Sequence, residues 1–286
     1  MNRSRIAFLL ALTLGVVVSY SLMTGGLLTS AAGQRQDRHE LLEALLGGKN
    51  PAVQIQAAKA LIPYVAEPEV KSAFIASTRR GNDATVRAIA VKVLAKYFSS
   101  EDGVQTLLIH LLKDSDSTVR LAAAQALGKH LDDPRLLPVA MKAAKTDRDL
   151  DVRVEMIKDL GPQIDQSGVY DLLLDIAHNG ADVMERAYAL DSLSLKIRER
   201  AELRDLFVNG LDDSASFYQL HALKGLVELQ DPTLQTRLVN KAAYLVLKGV
   251  NEKWFTELTD DAVAQLRRLD PQAAENLLNK LGLPQK

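Results

Sequence analysis

The chain has 286 residues, 47% of them apolar and 25% charged, enough to bury a substantial core. A formal net charge of −1 creates no bulk field toward nucleic acid or an anionic bilayer. The absence of cysteine excludes disulfides, thiolate metal sites, cysteine nucleophiles and lipid attached through a thiol.

Arg3 and Arg5 precede an uncharged, largely apolar run from Ile6 to Leu28. Its 23 residues would extend about 35 Å as a helix, longer than the roughly 30 Å hydrocarbon layer. The basic end stays cytoplasmic, so the sequence predicts export of everything from Gln34 onward. Residues 1–32 are therefore a signal peptide or a signal anchor. Ser30, Ala31, Ala32 and Gly33 are small enough for peptidase cleavage near Ala32, which would leave a soluble periplasmic protein. The length of the uncharged run favours retention, with the chain anchored in the bacterial inner membrane through residues 6–28 and facing the periplasm.

Residues 33–38 are small or polar and read as a linker. His39 to Leu46 predicts a short helix, and the Gly47-Gly48-Lys49-Asn50-Pro51 turn leads into the next, with Pro51 at the helix start where its missing amide costs nothing.

From Val53 to Leu226 one pattern recurs without gaps every 33 residues. Its six copies are VQIQAAKAL from Val53, VRAIAVKVL from Val86, VRLAAAQAL from Val119, VRVEMIKDL from Val152, ERAYALDSL from Glu185 and YQLHALKGL from Tyr218. Ala57, Ala90, Ala123, Met156, Ala189 and Ala222 hold one register, and Leu61, Leu94, Leu127, Leu160, Leu193 and Leu226 hold another four residues on. Residues four apart share a helix face, so each copy is a helix with mostly small residues where a neighbour packs and a Leu beside them. A less regular helix precedes each one: approximately Glu69 to Arg80, Gly103 to Lys113, Arg135 to Ala144, Gly168 to Ala177 and Ala201 to Val208. Such short amphipathic helices bury their apolar stripes by stacking, so the predicted fold class is all-α, an α-α superhelix. Repeats occupy residues 39–230. A C-terminal helical repeat and cap occupies 231–286, with helices over Leu234 to Val250, Val263 to Leu269 and Ala273 to Leu281. One repeat domain is expected from about residue 36 to the C-terminus.

Asp83, Asp116, Asp149 and Asp182 recur at the same period, and so do Arg87, Arg120, Arg153 and Arg186. The expected role of this ladder is structural: Asp caps the second helix of each pair, and Arg bridges to the Asp or carbonyls of an adjacent unit. The pairs Asp133-Pro134, Asp231-Pro232 and Asp270-Pro271 read as helix starts in the same way.

On these residues the chain resembles the HEAT repeat family, in particular its short bacterial phycobilisome-lyase-like form. The matching cores are DATVRAIAVKVLAKY from Asp83, DSTVRLAAAQALGKH from Asp116 and DLDVRVEMIKDLG from Asp149. The copy from Asp182 is weaker because Glu185 replaces Val, and the Val53 and Tyr218 copies carry Asn50, Gln54, Ala215 and Gln219 in place of Asp and Arg. The resemblance implies stacked helix pairs used mostly as a scaffold or protein-binding surface. Some relatives act on bilin chromophores and others are metal-dependent hydroxylases, so an enzyme with a small-molecule site on the concave face is the alternative reading.

The hydroxylases are recognised by repeated His-Glu pairs, and here His39-Glu40 is the sole such dipeptide. No catalytic residue, metal site or cofactor is expected, and no nucleic-acid partner. The expected partner is another protein, met by a row on the second helices: Lys59, Lys92, Gln125 and Lys158, flanked by Thr85, Thr118 and Asp151. That row recognises acidic side chains or only solubilises the helix. Tyr244, Trp254 and Phe255 form a second place to look, either as anchors for a partner or as residues buried by the terminal cap. The combined expectation is an exported, membrane-anchored interaction scaffold or accessory factor, with a purely structural membrane-associated protein as a further alternative.

Overall fold

The computed structural model describes residues 31–79, 82–98, 102–252 and 256–283, and the side chains of all of these except 31–36, 98, 102 and 256. The run from Ile6 to Leu28 and the pair Trp254 and Phe255 lie outside them. Among the described residues there are fifteen α-helices and no strand.

Two compact units divide the chain, Met1–Ala73 and Phe74–Lys286, where the sequence predicts one repeat domain. In the first, α1 (Ala31–Gly47) packs against α2 (Pro51–Leu61). Residues 33–38 are part of α1 and not a linker. No proline interrupts this stretch, and Arg38 is tied down by the Tyr64 ring, 5.0 Å from its guanidinium carbon, and by Glu67 at 3.2 Å. The first repeat copy also keeps its polar bonds local: Asn50 accepts the Ala52 amide, and buried Gln54 donates to the Leu45 carbonyl at 3.0 Å. The helix α3 (Pro68–Ser77) contains the boundary between the units.

The second unit continues with α4 (Ala84–Phe98), α5 (Asp102–Leu111), α6 (Ser117–Leu127), α7 (Leu137–Thr146) and α8 (Leu150–Leu160). It goes on through α9 (Val169–Asn179), α10 (Val183–Ser194), α11 (Ala201–Gly210), α12 (Ser216–Leu229) and α13 (Gln235–Asn251), and ends with α14 (Thr256–Leu269) and α15 (Pro271–Leu281). From α6 to α14 each even-numbered helix packs on the odd-numbered helix before it, and consecutive even-numbered helices from α4 onward pack on one another, giving a continuous row α4, α6, α8, α10, α12, α14. The small-residue register lies in the seams of this row. Ala90, Ala123, Met156, Ala189 and Ala222 are each at most 1% exposed, and Leu94, Leu127, Leu160, Leu193 and Leu226 at most 2%. Each Leu buried in this way contributes about 1.5–3 kcal/mol, so the periodic core is the main source of cohesion.

Short 3-10 turns end several second helices, at Ile62–Tyr64, Gly128–His130 and Gly161–Gln163. Asp231 and Asp270 cap the segments that follow them, accepting the amides of Thr233 and Ala273. Asp133 accepts the Arg135 amide at the start of a turn, and α7 begins only at Leu137. The cause is local, since Arg135 folds back to bond the same Asp133 carboxylate.

Candidate protein interface

The Asp register sits at the helix entries. Asp83, Asp116, Asp149 and Asp182 accept the amides of Thr85, Thr118, Asp151 and Met184 at 2.7–3.1 Å, satisfying donors that the first turn leaves unpaired. Thr118 adds its hydroxyl to Asp116 at 2.6 Å.

The Arg register joins repeats, but through a second set of carboxylates. Arg87 donates to Asp114 at 2.7 and 3.1 Å, and Arg120 donates to Asp147 at 2.9 and 3.0 Å. In these pairs the side chains are 3–9% exposed. Asp114 and Asp147 also accept the amides of Asp116 and Asp149, so each holds its own helix entry and the preceding repeat at once. Burial pushes both carboxyls upward. The guanidinium and amide hydrogen bonds, with the arginine charge, outweigh it and hold both below the usual aspartate value.

At the next rung Gly180 stands one period after Asp147, and no carboxylate is available there. Arg153 turns instead to Glu185, a buried residue whose other oxygen accepts the Asp182 amide at 2.9 Å. The Val-to-Glu exchange that weakens the motif is therefore the replacement for the missing aspartate. Arg186 keeps only the turn carbonyl of Gly180, at 3.1 Å, and the Tyr218 ring, 5.6 Å from its guanidinium carbon. Gln219 occupies the register after it and bonds the Asp213 carbonyl.

The exposed side of the even-numbered row carries the predicted contacts. Lys92, Gln125 and Lys158 are exposed one period apart, and Lys59 is exposed on α2 of the first unit. Thr85, Thr118 and Asp151 are exposed beside them at the helix entries. One period beyond Lys158 the row continues with Asp191 and then Lys224, which pairs with Asp261 at 3.0 Å. An aromatic cluster missing from the sequence reading lies next to it. Tyr188 and Phe217 are half-buried and meet buried His221 edge to face, with ring centroids 5.4 and 4.5 Å from the imidazole. The Lys158 ammonium lies 5.2 Å from the Tyr188 ring. Asp191 Oδ1 approaches His221 Nδ1 to 2.6 Å, although the two are not aligned as a hydrogen bond. The signal for this cluster was present, because Tyr188 and His221 are one period apart.

Asp159 lies in the seam between α6 and α8. Its side chain covers Gly128, where an added Cβ would lie 1.8 Å from Asp159 Oδ2, and that oxygen has no hydrogen-bond partner. Burial, and then the Glu155 charge, push its carboxyl up to about 6. On the odd-numbered side, an open groove of about 660 Å³ is lined by Met141, Lys142, Lys145, Asp171, Leu172 and Asp175 among others. Tyr244, on α13, is 46% exposed and so is not covered by the cap. Among the described residues no group of three or more His, Asp or Glu side chains is arranged to hold a metal ion.

The profile of HEAT repeats matches three overlapping stretches, residues 38–127, 72–161 and 104–194, which together span more than half of the chain. The chain belongs to the HEAT repeat family. The match is to HEAT repeats at large and does not extend to the phycobilisome-lyase-like subtype. A search of curated protein sequences gave no match. Among solved structures, this HEAT-repeat chain is similar to the Escherichia coli protein YibA, with a TM-score of 0.53 and 17% identity over 86% of this chain and 99% of that one. That likeness is one of fold. Human deoxyhypusine hydroxylase solved with glycerol aligns over 86% of this chain and 89% of its own, with a TM-score of 0.37 and 16% identity.

Proposed function

We propose that this protein is an exported, membrane-anchored scaffold that holds another protein on the exposed side of its even-numbered helices. The observation that carries the reading is the exposure of Lys92, Gln125 and Lys158 at one register, continued by the Tyr188–Phe217–His221 cluster. A partner laid across such a row meets one side-chain position per repeat, and partly buried aromatic rings are the residues that most often anchor protein interfaces.

The anchor rests on Arg3, Arg5 and the apolar run from Ile6 to Leu28. Among the described residues no helix is long and apolar enough to cross a membrane, and that run lies outside them. Intact-mass measurement of the mature protein separates anchor from leader. A mass that includes Ile6 to Leu28 is expected, and a start near Gly33 would reject anchoring.

The scaffold reading is tested by crosslinking in cells, gentle detergent extraction and mass spectrometry, using a tag beyond Lys286. A partner enriched over the triple variant Lys92→Glu, Gln125→Glu, Lys158→Glu is the expected result. If an abundant, folded protein captures nothing above that variant, the scaffold reading fails.

A further inference from the structure

Ion pairs between repeats occur on both sides of the second unit, on the even-numbered side as Lys224–Asp261 at 3.0 Å and Arg268–Glu228 at 2.7 Å. On the odd-numbered side they include Lys145–Asp175 at 3.2 Å, Arg204–Asp231 at 2.8 Å and Arg237–Asp212 at 2.7 Å. On the even-numbered side, over α4 to α8, Lys92, Lys96 and Lys129 are exposed and have no carboxylate at ion-pairing distance among the described residues. Most carboxylates on that stretch are committed elsewhere, and exposed Asp151 stands apart at the entry of α8. Glu155 lies 3.8 Å from Lys158 on its own helix, Asp159 is folded against Gly128, and Asp83, Asp116 and Asp149 cap helix entries. From α10 to α12 the same face changes character and presents the half-buried rings of Tyr188 and Phe217. Lys158, lying against Tyr188, is where the two stretches meet.

We infer that this face takes one extended peptide segment, with acidic side chains over Lys92, Lys96 and Lys129 and an aromatic or large aliphatic side chain seated on the Tyr188–Phe217–His221 cluster. The inference rests on the scaffold reading and specifies the partner's chemistry. Charge complementarity selects the acidic end, because Lys92 and Lys96 have no carboxylate at ion-pairing distance among the described residues, Lys129 feels only the longer-range charge of Asp159, and a basic segment would be repelled. Half-buried Tyr and Phe rings over a packed imidazole select the apolar end, where removing their remaining surface from water is favourable.

The repeat spacing fixes the length. Packed helices lie roughly 8–10 Å apart and an extended strand rises about 3.3 Å per residue, so each repeat spans about three peptide residues. From Lys92 on α4 to His221 on α12 is four repeats, so acids and anchor fall within about twelve residues of one another.

The test uses the full chain in detergent and a fluorescent peptide of about that length, with Glu at every third position of one half and a single Phe at the end of the other, made in both directions. At least one direction should bind, more weakly as salt is raised. Because each exposed ion pair contributes little alone, Lys92→Glu, Lys96→Glu and Lys129→Glu together should weaken it about tenfold or more. Replacing the peptide Phe by Ala should weaken it comparably without touching the protein's fold. Equal binding by a peptide with Lys in place of Glu, unchanged binding by the triple variant at unchanged melting temperature, or no binding by either direction overturns the inference. If the peptide fails while cellular crosslinking still captures a protein, the scaffold stands and only this assignment of partner falls. If crosslinking also captures nothing, the scaffold itself has failed.

Discussion

Two stretches of the second unit solve the same problem differently. Between α4 and α8 the repeats are tied by buried guanidinium–carboxylate pairs, Arg87 to Asp114 and Arg120 to Asp147, with a turn carbonyl closing each arginine. Between α10 and α12 the ladder lapses: Gly180 removes an acid, Glu185 replaces it from another position, Arg186 bonds its own turn and meets the next repeat only through the Tyr218 ring, and Gln219 bonds its own turn. The apolar register is the same in both stretches, since Ala123, Ala189 and Ala222 are equally buried. The comparison teaches that the apolar seam sets the repeat, while the polar rungs are replaceable and can be given up where the exposed face turns aromatic.

The largest test of this contrast removes one arginine from each stretch. Arg120→Ala leaves Asp147 buried without its partner and should cost about 3–5 kcal/mol in urea denaturation. Arg186→Ala loses one carbonyl bond and a ring contact on a half-buried side chain, and should cost about 1 kcal/mol. Equal costs would mean that the rungs are not what distinguishes the two stretches.

The seam between α6 and α8 offers a sharper measurement. Gly128→Ala drives a methyl into Asp159 and should destabilise by about 1–3 kcal/mol, a cost that should largely vanish in an Asp159→Ala background. Ala126 and Ser192 fill the Asp159 register one period to either side, so that background is already represented in the fold.

The same carboxyl gives a pH dependence of opposite sign to the rungs. Asp159 titrates near 6 when folded and near the ordinary 3.8 when unfolded, so it does not oppose folding below that lower value. Its penalty grows between the two and is complete above about 6, on the order of 1–2 kcal/mol once partial exposure is allowed for. Asp114 and Asp147 are held low, so their stabilisation is present above about 3.8 and is lost as pH falls through their folded values. Stability should therefore rise out of acid, pass a maximum at about pH 4 and decline toward about pH 6. In Asp159→Ala the decline should disappear while the acid limb remains, as read by melting temperature against pH.

The smallest expected effect concerns the caps. Asp116→Ala should cost about 1 kcal/mol by freeing the Thr118 amide, and the same register at α12's entry shows how mild that is, since Ala215 starts α12 with no side-chain cap.

Much of this was legible in the chain itself. A 33-residue period of Ala and Leu determines helix, face and stacking partner together, because burial of a stripe four residues apart leaves one way to pack copies in register. The cap role of Asp83, Asp116, Asp149 and Asp182 follows from local geometry, since a side chain that bonds an amide two residues on needs nothing from the rest of the fold. Tertiary structure alone decided which acid each arginine takes, because Arg87 and Arg120 reach 27 residues ahead to Asp114 and Asp147, two residues short of the ladder aspartates Asp116 and Asp149. It also decided that the chain divides near Ala73, and that Tyr188, Phe217 and His221, drawn from two different repeats, become one surface. Periodicity specifies which residues share a register. Contacts between registers depend on how far neighbouring helices are offset, and that offset is a property of the packed seam.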